Sequence, residues 1–460
     1  MSTSTVDHDV LPGVGPPADE ATAPTPRGDQ HAEDVVDARL GRPPSDVLEA
    51  TVVLEAWDGR PAQSAMSAAR ELVSPDHEPA LTGSRVDPSD RQERRSVIAE
   101  GIALVLSILS VAAWARPLSR ELGPRALEDA IRLALPLAVA LQWALRSRYL
   151  SRRDGLALLA EDGPSCCALL LLLVVAIALI APWGRVAALL VLIWVGGTVL
   201  TLRGWGLLYA LGLLAGTAAL DREHAAYAAL GAMAAFTILL CLVAVLTRRA
   251  PTDRRPGGLR RAVLAGLIGG AVGVLLVGDP SLGWGVHGVH PAIALVPSVL
   301  GSFWGGYYLW NLYEAIPRGL SGVPLEHAGS AGLAGPALGV FLGAILRLVG
   351  TTIVLSVIVA TLGRWTHGTD AVTVFVAFGC AALASMMLSL FESLSLQRGA
   401  LVAIAAALAA EFACRYFVQW HVAGGALAVG AAVGVLLTLP ALIALLSRSG
   451  RVLATTLWIQ

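Results

Sequence analysis

The sequence predicts an all-α, polytopic membrane protein, with about twelve transmembrane helices in a six-plus-six arrangement behind a disordered N-terminal arm. Of the 460 residues, 55% are hydrophobic and only 15% are charged, and the mean hydropathy is +0.67. A typical soluble domain is about 25% charged, so a water-soluble fold would leave much of this apolar surface exposed. The 48 glycines favour close helix packing through small residues, as in lipid, where the hydrophobic effect does not drive helices together.

The N-terminal arm, residues 1–95, is polar, rich in Pro, Asp and Glu, and has no apolar signal-peptide segment. Residues 1–30 contain almost no large apolar side chain, a composition that predicts disorder. Short helices are predicted at 46–57 and 63–73. Two interpretations remain open: a transient helical hairpin on a tether, or a cytoplasmic docking element that uses Leu48, Val52 and Trp57.

Apolar segments long enough to cross ~30 Å of hydrocarbon, which takes about 20 residues, recur from residue 98 to the C-terminal end. The fourth and fifth of these spans are short and are separated only by Arg203 and Gly204. A single broken helix is the alternative there, and it would invert the topology of everything downstream. The predicted spans are 98–115, 127–145, 165–183, 187–202, 204–220, 225–246, 262–278, 291–312, 337–360, 372–391, 399–418 and 423–446.

Arginine placement predicts the topology, because short cytoplasmic loops are enriched in positive residues. With the N-terminus inside, most loop arginines fall on the cytoplasmic side, whereas Arg116, Arg120 and Arg125 fall outside. An even number of spans with both termini cytoplasmic fits best. The Arg-rich cytoplasmic loop 248–261 then separates a first transmembrane half, 96–247, from a second, 262–460, a layout typical of two-half transporters.

Ionisable residues at membrane depth are costly, so each is a functional candidate. Arg347 lies near the middle of the ninth span, Glu411 lies near the middle of the eleventh span with Arg415 one turn further on, and Arg132 lies about a turn from the outer end of the second. The functional interpretation is a polar cavity whose arginines hold an anionic head group such as phosphate or pyrophosphate. The structural interpretation is an ion pair, Arg347 with Glu411 or Glu411 with Arg415, that fastens helices together.

An aromatic stretch, Gly301 to Arg318, occupies the cytoplasmic half of the eighth span. Its side chains could stack on sugar rings or isoprene units of a substrate, or could form the aromatic belt that membrane proteins carry at the interface. The residues that share one helical face are Phe303, Tyr307, Trp310 and Glu314.

Composition and motifs argue against several functional classes. The formal net charge of −1 makes a nucleic-acid partner improbable. His287 and His290 are three residues apart without a third ligand nearby, so we predict neither a metal site nor a cofactor. The Gly-rich loop with its Lys that cradles nucleotide phosphates is absent, which argues against ATP-driven transport by this chain alone.

The last quarter of the chain combines an Ala-rich span after Gln397 and Arg398 with a Gly-Ala-rich run, His421 to Gly430. The final span ends Leu437-Thr-Leu-Pro440 before a basic tail. This pattern resembles the polysaccharide flippase families of the multidrug/oligosaccharidyl-lipid/polysaccharide exporter superfamily, whose members often enter their last helix through a Gly-Ala-rich segment.

The resemblance implies a carrier rather than an enzyme, one that turns lipid-linked glycans across the plasma membrane by alternating access. Arg347 and Arg132 would contact the diphosphate of the substrate. The expected partners are membrane lipids, lipid-linked glycan and the proteins of polysaccharide biosynthesis.

Three other classes remain open. A polyprenyl-phosphate-dependent membrane glycosyltransferase would need extracytoplasmic carboxylates, for which Glu128 and Asp129 are the nearest candidates. A facilitator-type transporter is expected to have a Gly-x-x-x-Asp pattern that the loop 146–155 lacks. A non-transporting scaffold would dock cytoplasmic partners through its N-terminal arm.

Overall fold

The computed structural model describes residues 31–36, 44, 47–58, 60, 62–72, 88–150, 159, 163–220, 226–247, 258–284, 291–310, 330–364, 369–394, 396–418 and 422–446. The regular structure within these ranges is helical throughout. The chain is therefore an all-α membrane protein, and it divides into an N-terminal unit, Met1–Leu81, and a membrane unit, Thr82–Gln460. The disorder predicted for residues 1–30 concerns residues outside these ranges.

Three short helices make up the described part of the N-terminal unit. They are α1 (31–36), α2 (Val47–Val53), which continues in a π-helical turn (Leu54–Asp58), and α3 (Ala62–Leu72). Their small apolar residues allow the helices to pack closely, and Asp58 accepts a hydrogen bond from Arg60 and pairs with His31 at 3.2 Å. The buried core is formed by Ala32, Val36, Ala50, Val53, Leu54, Ala65, Ala68 and Ala69.

The docking role predicted for the N-terminal arm stays a prediction. Val52 is only 8% exposed, so its side chain is not available to a partner in this conformation. The side chains of Leu48 and Trp57 lie outside the described part of the chain.

The described part of the membrane unit contains twelve long helices, one at each of the twelve predicted spans. Nine of them have the length and composition to cross a membrane, and two shorter apolar segments, Leu169–Ile180 and Gly206–Ala219, lie in two of the others. The twelve are α4 (Pro88–Leu122), α5 (Pro124–Leu145), α6 (Gly163–Ile180), α7 (Gly184–Leu202), α8 (Gly206–Leu220), α9 (Ala226–Leu246), α10 (Leu259–Gly278), α11 (Pro291–Trp310), α12 (Ser330–Leu362), α13 (Thr369–Ser393), α14 (Gln397–Ala413) and α15 (Gly425–Leu446).

The fourth and fifth predicted spans are two helices, not one broken helix. Gly204 has a φ of 79°, a left-handed conformation that suits glycine and reverses the chain between α7 and α8. The Tyr209 hydroxyl of α8 then donates to the carbonyl of Ile193 in α7 at 2.8 Å, so the second helix runs back along the first. This turn preserves the predicted alternation of sides for every later helix.

The packing of α5 against α10 joins the first six membrane helices to the last six. A Cβ atom added at Gly273 would lie 2.5 Å from the Pro136 Cα atom, and one at Gly269 would lie 2.6 Å from Trp143 Cγ. Pro136 has no N–H and Gly273 has no side chain, so the two backbones meet almost directly. Small residues thus supply the van der Waals contact that holds helices together in lipid.

A polar network lies at the ends of α5 and α13, on the predicted cytoplasmic side. The Ser147 hydroxyl donates to Glu392 Oε1 at 2.9 Å, and Arg261, near the start of α10, approaches the same oxygen at 3.4 Å. Arg146 donates to the Ser389 hydroxyl at 3.1 Å. The buried Glu392 carboxylate is therefore hydrogen-bonded by Ser147 and paired with the positive charge of Arg261.

We expect Gly273→Ala to destabilise the membrane unit by about 1–3 kcal/mol, because the added methyl group overlaps the Pro136 backbone, which cannot move aside. The melting temperature of the purified protein in detergent measures the effect. Gly231→Ala in α9 is the matched control, since a Cβ there has nothing within 4 Å and alanine favours helix. Equal melting temperatures for the two variants would contradict the close α5–α10 contact.

Candidate functional site

Two buried carboxylates come together where α10, α14 and α15 meet, near the predicted extracytoplasmic ends of these helices. Asp279 directly follows α10 and is 3% exposed, and Glu411 lies in the last turn of α14 and is 4% exposed. Gly278 brings the two elements together, because a Cβ added there would lie 2.6 Å from Glu411 Oε1. We call Asp279 and Glu411 the carboxylate pair.

Local structure fixes the position of Asp279. The residue caps the 3₁₀ turn Pro280–Leu282, and its Oδ1 atom accepts hydrogen bonds from the backbone N–H of Ser281 at 2.9 Å and from the Ser281 hydroxyl. The Ser281 oxygen in turn accepts the N–H of Gly424 at 3.1 Å, just before α15. The second oxygen, Oδ2, is buried and has no hydrogen-bond partner among the described residues.

Glu411 is held by contact with glycine backbone rather than by a described hydrogen bond. A Cβ at Gly430 of α15 would lie 2.9 Å from Glu411 Cβ, so the two helices touch at this level. Its Oε1 atom is buried without a hydrogen-bond partner in the described part of the chain. After α14, the π-helical turn Cys414–Val418 departs from the regular helix, a feature that often marks functional sites.

Arg415 lies beside the carboxylate pair but donates to a backbone carbonyl rather than to either carboxylate. Its guanidinium donates to the carbonyl of Gly278 at 3.0 Å and is exposed, and its Cζ atom lies 5.0 Å from the centroid of the Tyr416 ring. Among the described residues, Asp279 and Arg415 are near enough to act electrostatically on Glu411. The predicted direct ion pair between Glu411 and Arg415 is not among the ion pairs that the described residues form.

The carboxylate pair can bind one positive charge. Two carboxylates that share a dry site repel each other when both are ionised, so one of them favours a proton or a cation. Each has a buried oxygen without a partner, which is where such a charge would be held. Three or more His, Cys, Asp or Glu side chains do not cluster in a metal-binding arrangement anywhere in the described ranges.

Arg347 is a separate site and does not contact Glu411. Its guanidinium carbon lies 3.5 Å from the centroid of the Tyr308 ring of α11, and its NH1 atom donates to the Gly343 carbonyl at 3.2 Å. Stacking of this kind attracts a cation to the negative face of the ring. The predicted Arg347–Glu411 pair is not among the ion pairs that the described residues form.

Arg132 retains a free donor. Its NH2 atom lies 2.7 Å from Glu128 Oε1 one turn earlier on α5, so that carboxylate is neutralised. The Nε atom of Arg132 is buried and has no hydrogen-bond partner within the described ranges. An anionic group could use this donor only if it reached the buried edge of the guanidinium.

The predicted aromatic face of α11 is only partly described. Phe303 packs toward Gly101 of α4, and Tyr307 stacks on Trp304 with 6.2 Å between the ring centroids. Glu314 and the side chain of Trp310 fall outside the described part of the chain. Their role as cavity residues stays a prediction.

Sequence reasoning missed Asp279 and Tyr308. Asp279 is a single acidic residue that ends an apolar run before Pro280, a pattern typical of a solvent-exposed helix end. Only the folded structure shows that α14 and α15 cover it. The predicted functional face of α11 contains the positions at helical spacing from Phe303. Tyr308 follows Tyr307 by one residue and therefore lies outside that face.

Comparisons with known proteins give structural neighbours only. No protein-family model and no curated protein matches the chain. Among solved structures, an outward-facing multidrug resistance MATE family transporter of the MOP superfamily has a TM-score of 0.43 at 15% identity, covering 76% of this chain and 96% of that one. A MATE P26A mutant has a TM-score of 0.42 at 15% identity, covering 76% and 95%. A MATE protein in complex with MaL6 has 0.39 at 13%, covering 76% and 96%.

We expect Gly343→Ala to disturb the stacking of Arg347 on Tyr308, because a Cβ there would lie 2.7 Å from Tyr308 Cε1 and 3.2 Å from Arg347 NH1. The cost should be about 1–3 kcal/mol and should appear as a lower melting temperature in detergent. Gly350→Ala on the same helix is the control, since its Cβ meets nothing within 4 Å. A Gly343→Ala protein as stable as the control would show that the ring and guanidinium are loosely held.

Proposed function

We propose that this chain is a cation-coupled membrane transporter that moves lipid-linked glycan across the plasma membrane. The observation that carries the proposal is the carboxylate pair, Asp279 and Glu411, buried where α10, α14 and α15 meet, with an oxygen on each residue that has no partner among the described residues. Ionisable groups in such positions mark ion or proton pathways in membrane proteins, because their burial is otherwise costly.

Uptake of a proton or a monovalent cation would change how α10, α14 and α15 pack. Without the added charge, Glu411 and Asp279 repel each other across the backbone of Gly278. With it, the pair carries one negative charge instead of two, and the three helices can close around it. A ligand that binds one arrangement better shifts the population towards it, which is how a cation gradient would drive alternating access.

Two arginines fit an anionic substrate group. Arg132 has a buried Nε atom without a partner, and Arg347 is held against Tyr308 with its remaining donors free of any described ion pair. A planar guanidinium binds phosphate through two parallel hydrogen bonds. These residues support a head group that carries phosphate or diphosphate.

An apolar cavity supports the lipid part of the substrate. A cavity of about 340 Å³ lies between α4 and α11, in the predicted cytoplasmic half of the membrane unit. Ile98 and Ile102 at its edge are exposed, as expected for side chains that face hydrocarbon. An isoprenoid chain is the occupant that fits both the substrate class and the lining residues, which are Ile98, Gly101, Ile102, Val105, Leu106 and Leu300.

The alternative functions receive less support. The glycosyltransferase hypothesis rests on Glu128 and Asp129, and Glu128 is already paired with Arg132. The scaffold hypothesis rests on the N-terminal arm, where Val52 is buried.

The proposal is tested by deleting the gene in its host and measuring surface polysaccharide and membrane-bound lipid-linked glycan. We expect lost surface polymer and accumulated precursor on the cytoplasmic face. Glu411→Gln, Asp279→Asn and Arg347→Ala should fail to restore export, each lowering it at least about tenfold, because each removes an interaction to a charged group worth about 1.5–3 kcal/mol.

Asp370→Asn is the matched control, because this carboxylate is exposed in the first turn of α13 and should complement fully. Unchanged levels of polymer and precursor after the deletion would overturn the glycan substrate. Full complementation by both Glu411→Gln and Asp279→Asn, with the glycan phenotype present, would instead overturn the coupling role of the carboxylate pair.

A further inference from the structure

The arginines at the far end of α4 contradict the positive-inside rule and are not used by the proposed transport cycle. Arg116 and Arg120 are one helical turn apart and fall on the predicted extracytoplasmic side, where short segments ordinarily carry few positive residues. Arginines on this side disfavour insertion in the predicted orientation, so we expect them to have another role.

Both arginines line one cavity. It has a volume of about 570 Å³ and lies between the ends of α4 and α8. This size is within the usual range for small-molecule sites, about 300–1,000 Å³. The lining residues are Ala113, Arg116, Pro117, Arg120, Leu214, Thr217 and Ala218.

The two guanidinium groups are the donors that the cavity offers. Arg116 and Arg120 are exposed, and neither side chain forms an ion pair or a hydrogen bond with another described residue. The Thr217 hydroxyl is already committed, because it accepts from Trp114 Nε1 at 3.0 Å and donates to the Leu213 carbonyl at 3.0 Å. A ligand bound here would thus meet positive charge above apolar side chains.

An apolar stripe continues from the cavity along α8. Leu207, Leu211 and Leu214 are spaced for one helical face and are 41%, 49% and 45% exposed. Exposed leucines on a membrane helix suit contact with hydrocarbon chains. The arginines and the leucine stripe together match the two parts of a lipid. The arginines face its charged head at the interface, and the leucines face its hydrocarbon chains.

We propose that Arg116 and Arg120 form a binding site for the phosphate group of a lipid at the extracytoplasmic end of α4 and α8. Two guanidinium groups one turn apart can hold phosphate oxygens by charge-assisted hydrogen bonds. Leu214 and the leucines before it accommodate the attached chains. The lipid is either an anionic phospholipid resident in the outer leaflet or a polyprenyl diphosphate, and both present the same chemistry to the arginines.

The site is tested by lipid retention. The full-length protein is incorporated into phosphatidylcholine bilayers alone, with phosphatidylglycerol, or with a polyprenyl diphosphate, and the lipid that remains after extraction is quantified by native mass spectrometry. We expect the wild type to retain a phosphate lipid, and Arg116→Gln with Arg120→Gln to lower retention at least about tenfold. Rising salt should weaken retention of the wild type.

The control combines Arg125→Gln with Arg185→Gln, because both arginines are exposed at the same end of the membrane unit but do not line the cavity. It should retain lipid within about twofold of the wild type, since charges outside the cavity make at most a weak contribution. Retention of phosphatidylglycerol assigns the site to resident phospholipid, and retention of polyprenyl diphosphate alone assigns it to the lipid carrier. Equal retention by the wild type and the cavity variant, no retention by the wild type, or an equal loss in the control would overturn the proposal.

Discussion

The cost of burying polar groups in hydrocarbon is the constraint on which the rest of this structure depends. Backbone groups meet it by forming helices, which pair every interior N–H and C=O within one segment. Most of the charged side chains discussed above meet it with a local partner: Arg132 with Glu128, Arg347 with the Tyr308 ring, and Glu392 with Ser147 and Arg261. Asp279 and Glu411 are the exceptions among the carboxylates discussed, since each retains a buried oxygen that no described residue satisfies.

Close backbone contact creates that exception. Gly278 and Gly430 let α10 and α15 approach Glu411 so nearly that larger residues would overlap it. The Ser281 and Gly424 contacts then hold Asp279 in the same region. The same use of glycine joins α5 to α10 through Gly273 and Pro136. Since α10 belongs to both contacts, it would link a change at the carboxylate pair to the contact between the two halves of the membrane unit.

Hydropathy and length alone predicted the fold class and a helix at each of twelve spans, because the need to cross hydrocarbon leaves few alternatives. The turn between Arg203 and Trp205 was the uncertain point, and Gly204 decided it through its backbone conformation. The site was harder to predict. Glu411 and Arg347 were recognised as charges at membrane depth, but their partners depend on which helices touch. Asp279 became a candidate only once α14 and α15 were seen to cover the end of α10.

Infrared difference spectroscopy tests the account most directly, because a protonated carboxylic acid in a dry site has its own carbonyl band. The purified protein in lipid bilayers would be compared at acidic and alkaline pH, and with and without sodium ions. The account predicts a band from a buried protonated carboxyl group that alkaline pH or sodium removes, and that is missing from both Glu411→Gln and Asp279→Asn. A wild-type spectrum without such a band, or a band that both substitutions leave unchanged, would contradict the shared positive charge at the carboxylate pair.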